Sequence, residues 1–126
     1  MARSTSLGEL QLAIMRVLWA RDEATATAVH AALFAERGLA PTTIATMLRK
    51  MEDKGVVSHR LDGRQFVYRA SVEESDVHCS MVGELVERLF AGDPKQLLNH
   101  LLTQGDIHPD DLDELRRRVE SERGDE

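Results

Sequence analysis

Residues 40–70 read APTTIATMLRKMEDKGVVSHRLDGRQFVYRA, and a change of period inside this stretch decides the fold. In its first half Ile44, Met47, Leu48 and Met51 recur at helical spacing, so a helix from about Pro41 to Lys54 has one apolar face. Pro41 suits a first helical turn and Gly55 suits the position just past the last one. In its second half, Val56 to Leu61 and Arg64 to Arg69 are β-branched and aromatic runs separated by Asp62-Gly63, a two-residue hairpin signal. Phe66 and Tyr68 share a face of the second strand and are expected to pack onto the helices.

Upstream, the breakers leave room for two more helices. One is expected from about Gly8 to Arg21, with Leu7, Leu10, Ile14, Val17 and Leu18 on a common face. The other is expected from about Thr25 to Glu36, with Thr25 as N-cap, Gly38 as stop and Val29, Ala32 and Leu33 facing inward. Three helices followed by a hairpin is the order of a winged helix-turn-helix, mainly α with a small β-hairpin wing. In that arrangement the third helix enters the major groove and the wing lies along the backbone. With Ile44, Leu48 and Met51 inward, Thr42, Thr43, Thr46, Arg49 and Lys50 point outward. Short hydroxyls approach base edges and phosphates closely, and the longer cations reach phosphates or guanine edges. The wing adds Arg60, Arg64 and Gln65 around its tip for sugar-phosphate contacts. These features imply double-stranded DNA as the partner. The rival reading is a winged-helix module that docks a protein.

From Ser71 onward the pattern is helical again. Ser71-Val72-Glu73-Glu74 fits a capping box, and Val77, Met81, Val82, Leu85, Val86, Leu89 and Phe90 form a broad apolar stripe ending at Gly92. Pro94 to Thr103 carries Leu97, Leu98, Leu101 and Leu102. A last helix near Pro109 carries Leu112, Leu115 and Val119, acidic in its first turn and basic in its last. The expected division is a winged-helix DNA-binding domain over residues 1–70 and a helical dimerisation domain over residues 71–126. A tail this short buries such a stripe poorly alone, whereas two copies bury it mutually. Val82, Leu85, Val86, Leu89, Phe90, Leu98, Leu101, Leu112, Leu115 and Val119 are the expected interface of a homodimer. In the alternative, the tail helices fold back onto their own wing domain.

The 126 residues carry a net charge of −6, which as a whole-chain value argues against a nucleic-acid partner. Residues 1–70 hold ten Lys/Arg against seven Asp/Glu, a surplus of +3, and residues 71–126 hold six against fifteen, a deficit of −9. The basic half is the one with the recognition helix, and the acidic tail stays off the phosphates. No apolar run reaches the ~18 residues of a membrane span, and the first ten residues lack a signal-peptide core, so a cytoplasmic location is expected. The single cysteine, Cys79, excludes a disulfide framework or a Cys-rich zinc module. No Gly-rich phosphate loop, His-Glu-x-x-His or nucleophile elbow is present, so the chain does not read as an enzyme.

The run over residues 40–70 resembles the recognition helix and wing of the penicillinase-repressor family of bacterial regulators, which covers beta-lactamase, methicillin-resistance and copper-responsive repressors. LGELQLAIMRVLW (residues 7–19) and ATATAVHAAL (residues 24–33) resemble that family's first two helices, and HPDDLDELRRRV (residues 108–119) resembles its C-terminal dimerisation region. The resemblance implies a homodimeric repressor on an operator with dyad symmetry. It sets Thr42, Thr43, Thr46 and Arg49 on the recognition face and Arg64 at the family's wing arginine. The Cys-x-Cys pair of the copper-responsive branch is absent here. In the antibiotic-resistance branch the repressor is inactivated by proteolysis at an Asn-Phe bond. The matching pair here is Asn99-His100, where His replaces the aromatic, which leaves the releasing signal unassigned. A haem, metal or redox switch at His78-Cys79 is a further alternative. Neighbouring helical side chains diverge too far to share one metal, which favours a partly buried Cys and a solvated His. His30, His59, His100 and His108 have no ligand spacing and read as structural or solvent-facing.

Overall fold

The computed structural model describes residues 7–124. Its elements are α1 (Glu9–Arg21), β1 (Ala24–Thr25), α2 (Ala26–Arg37), α3 (Pro41–Lys54), β2 (Val57–Asp62), β3 (Gln65–Ala70), α4 (Glu74–Phe90), α5 (Pro94–Gln104) and α6 (Asp111–Gly124). The Thr25 hydroxyl caps α2 by accepting from the Ala28 N–H at 3.1 Å, and Gly38 closes that helix in the left-handed conformation. α3 starts on Pro41 and stops at Gly55, whose φ of 89° lets its N–H turn back onto the Glu52 and Met51 carbonyls.

The hairpin pairs Val57 with Ala70 through to Asp62 with Gln65. Its turn is therefore Gly63-Arg64, one residue later than the Asp62-Gly63 reading. A type I′ turn on Asp62-Gly63 needs positive φ at both residues. Instead Gly63 alone is positive, at 64°, in the first central position, which is where a type II′ turn wants glycine. A third strand was not anticipated. β1 pairs with the free edge of β3, Ala24 opposite Tyr68 and Thr25 opposite Val67, giving the sheet order β1-β3-β2.

The described chain falls into two compact units, one ending at Met81 and the other beginning at Val82. In the first, Ile14, Met15, Leu18, Val29, Ile44, Leu48, Met51 and Val57 form a solvent-free core closed by Tyr68 and Val77. Leu10 and Val17, expected on the inner face of α1, are only half-buried, because Ala13 and Met15 take the interior positions. Tyr68 packs inward as expected, but Phe66 is 44% exposed. One pair from the turn, it has passed beyond the helices that cover Tyr68.

α4 begins at Glu74 rather than in a capping box on Ser71. The Ser71 N–H donates to the Val56 carbonyl at 2.9 Å, and the Val72 carbonyl accepts from Trp19 Nε1 at 3.0 Å. These bonds to the hairpin and α1 hold residues 71–73 out of helical register. The first turns of α4, with Val77 buried and Met81 packed on the core, carry the compact unit past residue 70.

In the second unit Asp93 caps α5 through the Lys95 N–H at 3.0 Å, and Gly105 ends it. Asp111 opens α6 by accepting from the His108 N–H at 3.2 Å. Val86 is the one buried hydrophobic residue among those described there.

Candidate nucleic-acid interface

Helical periodicity sorts α3 into two faces. Ile44, Leu48 and Met51 are at most 1% exposed, and Thr42, Thr43, Thr46, Arg49 and Lys50 are all exposed. The three threonines line a shallow groove with Met47 and Lys50. Met47 is fixed beneath it, its sulfur accepting from Gln11 Nε2 at 3.4 Å. Hydroxyl donors at the start of the helix and cations along it thus form one continuous surface.

A second cleft, of about 230 Å³, joins α3 to the wing. Arg49 of α3 and Gln65 of β3 line it together, along with Phe66, Tyr68 and Ala45. The fold therefore brings together two of the expected site residues that are sixteen positions apart in the chain. Thr25, Ala26 and Thr27, at the amino end of α2, complete the cleft. The expected site omitted these residues. Their one signal was the hydroxyl-rich start ATAT, which exposes backbone N–H groups and the positive end of the helix dipole to an approaching anion.

The basic side chains differ in availability. Arg49, Lys50 and Arg64 make no ion pair among the described residues. Arg64 sits in the turn itself and is exposed. Arg60 lies two register steps back from the tip, opposite Val67. Its fork is occupied by Glu23, with Nη2 at 2.7 Å and Nε at 3.2 Å from the two carboxylate oxygens. That hydrogen bond and the opposite charge hold the Glu23 carboxyl below its ordinary value and the Arg60 guanidinium above its own.

Behind the cleft, His59 Nδ1 lies 2.7 Å from both oxygens of Glu52, joining the wing to the last turn of α3. The Phe66 ring stacks on that imidazole at 4.0 Å and 11°. Burial, reinforced by the Glu52 charge and opposed by Arg49, pushes the Tyr68 hydroxyl up, so it stays protonated at neutral pH.

His78 and Cys79 lie on α4, and Cys79 is exposed rather than partly buried. His78 is 3.8 Å from Glu74 across one helical turn. Among the described residues no three His, Cys, Asp or Glu side chains converge as a metal site. Asn99 and His100 are exposed within α5, where the His100 ring tilts against Phe90. No helix is long and apolar enough to cross a membrane.

Residues 7–121 match the family model described as penicillinase repressor. The chain is 38% identical over 122 residues to the transcriptional regulator BlaI of Mycobacterium tuberculosis, covering 94% of this chain and 86% of that protein. It is 25% identical over 120 residues to the penicillinase repressor of Bacillus licheniformis, covering 95% and 94%. Among solved structures it is similar to monomeric Bacillus licheniformis BlaI in complex with the blaP half-operator. There the TM-score is 0.52 at 32% identity, over 60% of this chain and 93% of that one.

Proposed function

From the premise that this chain belongs to the penicillinase repressor family, whose members are transcriptional repressors and not enzymes, we propose how it represses. It binds operator DNA through the winged helix, as a homodimer on a site with dyad symmetry, in the cytoplasm. The observation that carries this reading is the outward face of α3, where Thr42, Thr43, Thr46, Arg49 and Lys50 are exposed and the cations are unpaired among the described residues. In this proposal the threonines and Arg49 meet base edges and nearby phosphates in the major groove. Lys50, Arg64 and Gln65 hold the backbone on either side. Arg60 joins them only by exchanging Glu23 for a phosphate.

The dimer is supported by the second unit. Val82, Leu85, Leu89, Leu98, Leu115 and Val119 are between 38% and 68% exposed, and only Val86 is buried. Apolar residues left this open on three amphipathic helices are matched by a second copy presenting the same surface. Phe90, Leu101 and Leu112, half-buried within the unit, belong to the same proposed interface. Two winged helices then add their binding free energies on one operator. In this proposal residues 1–70 supply the DNA contacts and residues 71–126 the pairing surface. A protease acting at Asn99-His100 would have to unwind α5 first.

Duplexes selected from a random pool by the purified protein test the reading. Log affinity is expected to fall linearly with log salt. Arg49→Ala is expected to cost about 1–3 kcal/mol on the selected site, relaxing the preference at one base pair. Arg64→Ala is expected to weaken all duplexes alike and to lower the salt slope by about 1 per protomer. A flat salt response with no selected sequence would overturn the repressor reading.

A further inference from the structure

Two large apolar side chains stand on the wing outside the core. Leu61 is 64% exposed and Phe66 44%, and they face each other across the strands one pair from the turn. Their face of the hairpin is the one that carries His59 and Tyr68, and so the one turned to α3. The pair is also held in place. Phe66 lies parallel on the His59 imidazole, Tyr68 meets its edge at 6.2 Å, and the Glu52 carboxylate of α3 grips His59. The helix that presents Arg49 therefore also fixes the ring on the wing.

Resting on the operator-binding reading above, we propose that Leu61 and Phe66 are DNA contacts that pack on the deoxyribose edge of the minor groove beside the α3 half-site. Arg49 and Arg64 flank the pair, and neither has an acidic partner among the described residues. Phosphates drawn to those two cations leave the sugar between them as the surface the wing meets. The sugar carbons are the apolar part of the backbone, and covering Leu61 and Phe66 with them removes exposed hydrocarbon from water. Apolar side chains recur for this reason among proteins that enter the minor groove. A protein occupant would have to desolvate the same two arginines without supplying an anion, which the charge pattern disfavours.

Hydroxyl-radical cleavage of a selected duplex reads sugar accessibility directly, and the full-length wild type, Leu61→Ser and Phe66→Leu are the chains to compare. Each variant is expected to bind roughly tenfold more weakly. Each should lose sugar protection where the wing lies and keep it over the α3 half-site. The salt slope should stay at its wild-type value, since no phosphate contact is removed. Thermal midpoints should stay with the wild type because both side chains are exposed. Variants with wild-type affinity and wild-type protection would overturn this inference and leave the repressor reading standing. A salt slope lowered by about 1 would overturn it too, by showing that a phosphate contact was lost instead. So would variants whose only loss is self-association. A wild type that protects no selected duplex would overturn both readings at once.

Discussion

A guanidinium can serve a phosphate only when no carboxylate holds it first, and this separates Arg60 from Arg49 and Arg64. Glu23 takes both ends of the Arg60 fork, and the exchange shows in its carboxyl, which Arg60 holds low. A carboxyl held low stabilises the fold above its unfolded value, and the contribution is lost as pH falls through the lowered one. Glu23→Gln should therefore melt below the wild type at neutral pH. The gap should be full above about pH 5 and close toward about pH 3 in thermal scans across pH. The outward cations of α3 were legible from its period alone, since three inward apolar positions fix where the others point. The commitment of Arg60 was not. Glu23 lies thirty-seven positions upstream and becomes a neighbour only because β1 joins the sheet. His59 was hidden for a similar reason, its partners being one helix turn and one strand pairing away.

The elements were most legible where local chemistry and tertiary packing agree. α3 runs between its proline and its glycine as expected, because both ends are set by backbone preference and the middle by a strong apolar stripe. The hairpin slipped by one residue because Asp62-Gly63 and Gly63-Arg64 both place a glycine in a two-residue turn, and only the strand register chooses between them. α4 lost its first turn to bonds from Trp19 and Val56, which no local pattern encodes. β1 was too short to show any alternation, and its second residue doubles as a helix cap. That double use makes Thr25 a joint between sheet and helix. Thr25→Ala is expected to cost about 1 kcal/mol of stability, measured by urea unfolding. The same change should loosen the amino end of α2 that lines the cleft beside Arg49, raising amide exchange at Ala28.

Across the whole molecule the charge reads as two values, with a basic surplus on the winged helix and an acidic excess on the tail. The acidic half is also the half that leaves its leucines uncovered. Leu85→Glu with Leu89→Glu places two charges on the proposed interface and touches no residue of the first unit. Sedimentation should show this variant as a monomer, and its thermal midpoint should no longer rise with protein concentration as the wild type's does. On a duplex carrying only one half-site it should bind as tightly as the wild type, so the loss appears only on the full operator. Wild-type assembly in this variant would sink the dimer proposed through that face.

A tail unit that buries a single valine of its own also makes repression a matter of dose. If the second copy supplies the rest of that unit's interior, the DNA-binding species is scarce whenever the protein is scarce. Below the protomer concentration at which pairs form, operator occupancy grows roughly as the square of the amount of protein, so halving the supply cuts occupancy about fourfold. Dilution at cell division, or a modest rise in turnover, then switches the promoter more sharply than a monomeric repressor of equal affinity would allow. The tail's sparse core sets a threshold on gene expression.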